Sequence, residues 1–175
     1  MKTQIKSFLV AVFSILTLGA CANSKTDVKT IKPFIAEKYL GKWYEIARFD
    51  MRFERDLINV TANYSLNKNG TIRVVNGGYN TVKKEWKQAI GKAKFVIDNT
   101  VAQLKVSFFG PFYAPYNVIA LDSEYKYAMV VGNDLDYLWI LSRDKTIPED
   151  IKLQYIKQAK DLGFETDKLI WVKQE

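Results

Sequence analysis

Between Gly41 and Ser142 the chain repeats one pattern: a stretch of β-forming residues, then a short run rich in Asn, Asp, Gly or Pro. Periodicity and composition predict strands at 42–49, 60–66, 71–79, 85–96, 102–109, 114–121, 126–132 and 137–142. The joints Asn67-Lys68-Asn69-Gly70, Asp98-Asn99-Thr100, Gly110-Pro111 and Asn133-Asp134 are too short for the crossovers that parallel neighbours require, so the strands run antiparallel. Eight strands in a meander leave two bare edges, and the simplest cure is closure. The expected fold is all-β, an eight-stranded antiparallel up-and-down barrel. Ten Tyr, ten Phe and four Trp suit both a pleated wall and an apolar cavity.

One helix follows the strands. Thr146 is a candidate cap, Pro148, Glu149 and Asp150 suit a first turn, and Ile151, Tyr155, Ile156, Ala159 and Leu162 recur at helical spacing up to Gly163. A lone helix with one apolar stripe must cover something, so it is expected on the outside of the barrel. Residues 168–173 read as a short closing strand.

The N-terminal region has a different character. Lys2 and Lys6 precede an apolar run from Phe8 to Leu18, well short of the roughly 20 residues needed to span a bilayer. Residues 1–20 therefore read as a secretory signal. The only cysteine, Cys21, follows immediately, and Leu18-Gly19-Ala20-Cys21 resembles the lipobox of bacterial lipoproteins. That resemblance implies acylation of Cys21, and Ala22 behind it implies the outer membrane, with the domain facing the periplasm. Residues 21–35 are expected to form a polar tether and 36–175 the folded domain.

Composition removes other functions. Without any histidine, no Ser-His-Asp triad, Cys-His pair or imidazole zinc site can be built, so neither catalysis nor a metal or other cofactor is expected. The chain has 26 Lys+Arg against 19 Asp+Glu, and about +5 remains once Lys2 and Lys6 are set aside. The lysines are scattered, and no nucleic-acid partner is expected.

Several motifs together resemble the lipocalin family, in particular its bacterial outer-membrane lipoproteins. Gly41-Lys42-Trp43 looks like the family's first motif, and Leu141-Ser142-Arg143 like its third. Leu121-Asp122 with Tyr125 and Tyr127-Ala128 resembles the second loosely, lacking the usual Thr-Asp-Tyr. The stretches 53–55, 106–113, 116–122 and 136–143 extend the similarity over essentially the whole chain. It implies a carrier or store for single-chain lipids, a lysophospholipid or fatty acid, and leaves monomer and homodimer both open. It also places Trp43 at a closed barrel base with Arg143 over it.

With Arg143 placed there, a period of two points Leu141, Trp139 and Tyr137 into the lumen. The same stepping, anchored at Tyr127, points Met129 and Val131 inward. Leu104, Val106 and Phe108 alternate with Gln103, Lys105 and Ser107 and form a third lining stripe. Tyr116 and Val118 join them from a strand that is apolar on both faces. Arg52 and Arg55, in a loop at the mouth, are the candidate partners of a lipid phosphate.

Overall fold

The computed structural model describes residues 28–175. The expected signal, Cys21 and the first part of the tether lie outside the described residues. Eight antiparallel strands close into a barrel: β1 (Gly41–Arg48), β2 (Leu57–Leu66), β3 (Ile72–Asn80), β4 (Glu85–Phe95), β5 (Gln103–Phe109), β6 (Phe112–Leu121), β7 (Tyr127–Val131) and β8 (Leu138–Ser142). Each pairs with the next, and β1 closes the circuit by pairing with both β2 and β8. The barrel predicted from turn spacing is therefore the one observed.

The junction of β1 and β2 is split. The two pair only over Gly41–Tyr44, and beyond that the edge of β1 is taken by a two-residue strand, β9 (Ile170–Trp171). The amide side chain of Gln174 bridges the gap, its Nε2 donating to the carbonyls of Glu45 and Val60 at 2.8 and 2.9 Å. Of the closing strand expected at 168–173, only Ile170–Trp171 is strand, and Lys168 ends a 3-10 turn, Thr166–Lys168.

Two apolar clusters lie on opposite sides of the barrel wall. The inner one contains Trp43, Tyr64, Val74, Leu104, Val118, Val130 and Leu141; the outer one packs Ile46, Ile119, Met129, Val131 and Ile140 beneath a helix. That helix is α2 (Glu149–Asp161), after a four-residue helix α1 (Ala36–Tyr39). Tyr155 and Ala159 of α2 are buried, the Tyr155 hydroxyl donates to the Tyr127 carbonyl at 3.0 Å, and Gln158 donates to the Ile119 carbonyl. The helix begins after Pro148 with no side-chain cap; Thr146 instead offers its carbonyl to the Ser142 hydroxyl. Among the described residues no helix is long and apolar enough to cross a membrane.

The polar composition of 21–35 conceals part of the domain. Ile31 bonds through its backbone to Val118 and Ala102, Phe34 bonds to the Thr100 carbonyl, and the Phe34 ring is buried. Residues 28–35 thus belong to the fold, because Val28 and Ile31, each set among polar neighbours, and Phe34 supply apolar contacts.

Candidate functional site: the lumen and its mouth

At one end the barrel is plugged. Segment 31–40, with α1, crosses it, and Phe34 packs its ring against Tyr39, Phe95 and Tyr125. Trp43 is completely buried, and its Nε1 donates to the Tyr39 carbonyl at 2.8 Å. The Arg143 guanidinium lies 3.9 Å from the centre of the Trp43 ring. It donates to the carbonyls of Tyr125, Lys42, Lys38 and Leu40 at 2.8–3.1 Å. A planar cation that fills its donors with carbonyls while stacking on an indole excludes water from that end.

Above the plug the lumen can be followed by strand register. Leu141 and Trp139 belong to the inner cluster; their cross-strand partners on β7 are Ala128 and Val130, which must then face inward too. Met129 pairs with Ile140 and Val131 with Leu138, all in the outer cluster. The inward placement of Met129 and Val131 is therefore corrected. β7 is apolar on both faces, one lining the lumen and the other lying under α2, so alternation carries no phase there. Leu104, Val106, Phe108, Tyr116 and Val118 all fall in the inner cluster. Gly91 on β4 permits this for Phe108: a Cβ there would meet the ring at 2.8 Å, so only glycine lets the ring lie flat on the wall.

The lumen is not wholly apolar. The Tyr116 hydroxyl bonds to those of Tyr39 and Tyr64 at 2.7 and 2.9 Å. Burial raises the pKa of all three, so they remain neutral donors and acceptors. Nearer the mouth sits a buried charged group that the sequence reading missed. Arg48 Nη1 approaches Glu45 Oε1 at 3.4 Å, Nη2 donates to the Glu54 carbonyl at 2.7 Å, and Nε lies 3.9 Å from Glu54 Oε2 without a hydrogen bond. Burial, then the neighbouring Glu54 charge, pushes the Glu45 carboxyl well above its ordinary range; burial raises Glu54 as well. One cation thus faces two buried carboxyls, whose surroundings favour their protonated forms. A count by twos from Trp43 would point Glu45 inward, but the irregularity between Glu45 and Ala47 shifts the phase and hides Arg48 from it.

Glu54 also fixes the mouth. It lies in the β1–β2 loop (49–56), and its Oε2 accepts from Trp139 Nε1 at 3.1 Å, which draws the loop over the opening with Met51 buried. Between this loop and Asp136–Tyr137 lies a hollow of about 220 Å³ lined by Asp50, Met51, Arg52, Phe53, Asp136 and Tyr137. Tyr137, expected in the lumen, stands at the rim, partly exposed and stacked on Trp139 at 6.1 Å. Arg52 borders the hollow. Arg55 is engaged elsewhere, donating from two nitrogens to both oxygens of Asp50 at 2.7 and 3.1 Å, and those bonds hold the Asp50 carboxyl below its ordinary pKa.

A barrel plugged at one end, lidded at the other and lined with aromatic and aliphatic side chains defines a binding protein for a small hydrophobic molecule. The chain belongs to the lipocalin family: residues 35–174 match the lipocalin-like domain. It is 52% identical over 173 residues to the outer membrane lipoprotein Blc of Citrobacter freundii, covering 98% of each chain. Its identity to the protein of the same name from Vibrio cholerae is 48%, covering 94% of this chain and 99% of that one. Among solved structures it resembles insecticyanin from the tobacco hornworm Manduca sexta, with a TM-score of 0.72 and 19% identity over 87% of each chain.

Proposed function

We propose that the protein is a carrier or store for lipids with a single acyl chain, such as lysophospholipids or fatty acids. It is held at the outer membrane, facing the periplasm, by acyl groups on Cys21. One observation carries the ligand reading: Val106, Phe108, Tyr116 and Trp139 point into the barrel yet are only partly buried, so the lumen keeps unfilled apolar surface. A barrel acting only as a structural body would bury them. The names of the Blc relatives support the location.

Burying about fifteen methylenes at roughly 0.8 kcal/mol each gives on the order of 12 kcal/mol. Immobilisation of ligand and loop removes several kcal/mol of that, which leaves micromolar or tighter binding. The hollow beside the loop is smaller than a typical ligand pocket and none of the lumen-lining residues borders it. An acyl chain therefore has to lift the 49–56 loop and run past Trp139 toward the tyrosine cluster. Its headgroup would stay at the mouth, within reach of Arg52. No activated nucleophile lines the path, so the lipid is held rather than cleaved.

Titrating the protein with a lysophospholipid, a fatty acid and a diacyl phospholipid, read by tryptophan emission, tests this. The reading expects one single-chain lipid per chain at micromolar or lower Kd and much weaker diacyl binding. Equal affinity for the diacyl lipid, or hydrolysis of the lysolipid during the titration, would overturn it.

A further inference from the structure

Five exposed large apolar side chains of the barrel stand together at its open end, while Leu66, Val96 and Ile97 are exposed at the closed end. Phe109 and Phe112, at the β5–β6 turn, are 81% and 80% exposed; Val82 and Trp86, on the β3–β4 hairpin, are 70% and 68% exposed; Ile90 of β4 is exposed beside them. The hairpin also projects. β3 pairs with β4 along its whole length, from Ile72–Ala93 to Asn80–Glu85, whereas β5 pairs with β4 only over Lys92–Phe95. Residues 85–91 therefore have no backbone pairing with β5, and the tip of the hairpin stands beyond it.

Charge distinguishes this side of the mouth. From Val82 to Phe112 the sequence carries Lys83, Lys84, Lys87, Lys92, Lys94 and Lys105 against Glu85 and Asp98, and all six lysines are exposed. Across the opening the β7–β8 loop carries Asp134 and Asp136 and no cation. Lys83, Lys84 and Lys87 lie on the hairpin with Trp86, while Lys92, Lys94 and Lys105 lie lower on the wall, so the apolar tips stand on the basic half of the mouth.

We infer that this half of the rim, Val82, Trp86, Ile90, Phe109 and Phe112 with the surrounding lysines, docks onto the surface of an anionic lipid bilayer. Aromatic tips separated by lysines match the membrane interface, where aromatic rings settle at headgroup depth and ammonium groups meet lipid phosphates. A second copy of the chain fits less well. A two-fold contact would set one cluster of lysines against the same cluster, and Lys87 on the bare edge of β4, with Lys83 and Lys84 in the turn before it, opposes strand-to-strand pairing. Docked this way, the barrel opens into the bilayer and the acidic β7–β8 loop is lifted away from it. Cys21 is seven residues from Val28, a span of up to about 24 Å when extended. The docking stands on exposure and charge, independently of the ligand reading.

The test uses the full-length protein in phosphatidylethanolamine–phosphatidylglycerol vesicles (3:1) whose acyl chains are brominated near the headgroup. The Trp86 part of the emission is obtained by difference from Trp86→Phe. Docking predicts that bromolipid quenches more than half of that emission, and that Phe109→Ser/Phe112→Ser reduces the quenching at least threefold without altering the melting temperature. Neutral phosphatidylcholine vesicles should give weaker quenching. Trp86 emission indifferent to bromolipid, or shielded equally without vesicles in a dimer seen by sedimentation, would overturn the inference. Quenching that persists when lysophospholipid binding proves absent would uphold docking and sink the carrier reading instead.

Discussion

Trp43 and Arg143 close the base of the barrel by a division of labour. The indole supplies volume at a site with no exposure, and the guanidinium ties four backbone carbonyls from three segments across it. Trp43→Ala leaves a void and an unstacked cation, a loss of about 3–5 kcal/mol. The melting temperature should fall by roughly 10 °C for a chain of this size, and a shift within about two degrees would contradict the plug. Glu45 makes a second prediction at this scale. Its carboxyl is raised by burial, so the folded state holds the proton more tightly than the unfolded chain does. Stability is then full below the ordinary carboxyl pKa of 4.5 and declines as pH rises above it toward the raised folded value. Glu45→Gln cannot ionise, so its advantage over wild type should grow as pH is raised from about 4.5 to neutrality; parallel melting curves across that range would exclude the assignment.

Among the elements, β7 separates the two sides of the wall. Met129→Lys places a charge in the dry seam under α2 and should cost several kcal/mol of stability, with the helix losing its amide-exchange protection first. Val106→Lys puts the same charge on the half-buried lumen face, where the ammonium can reach water until a ligand arrives. That protein should stay folded and lose at least tenfold in lysolipid affinity. The reverse pattern would put the register out by one residue. The same strand explains what could be read beforehand. Leu104, Val106 and Phe108 alternate with polar neighbours, so their face was legible from sequence. Met129 and Val131 sit in a run whose two faces are equally apolar, and only pairing to β8 fixes them outside. Irregularities between Glu45 and Ala47, and between Val118 and Ala120, shift the phase within β1 and β6. These defeat any count by twos, which is why Arg48 escaped notice.

On the scale of the whole molecule, the chain has one firm end and one adaptable end. The base rests on α1, Phe34, Trp43 and Arg143; the mouth is held by few contacts, chiefly Glu54 to Trp139 and Arg48. Turn spacing alone gave the barrel, because closure follows from strand number and direction. The loop at the mouth was legible in the sequence but its closure was not, since a loop of mixed charge gives no sign that one carboxylate folds inward to an indole 85 residues away. The central claim is that this lumen holds a lipid with one acyl chain. It is tested most directly by native mass spectrometry of the protein purified gently from membranes, alongside Val106→Lys. The account predicts a single-chain lipid bound one to one in the wild type and absent from the variant; a lipid-free wild type, or equal lipid in both proteins, would contradict it.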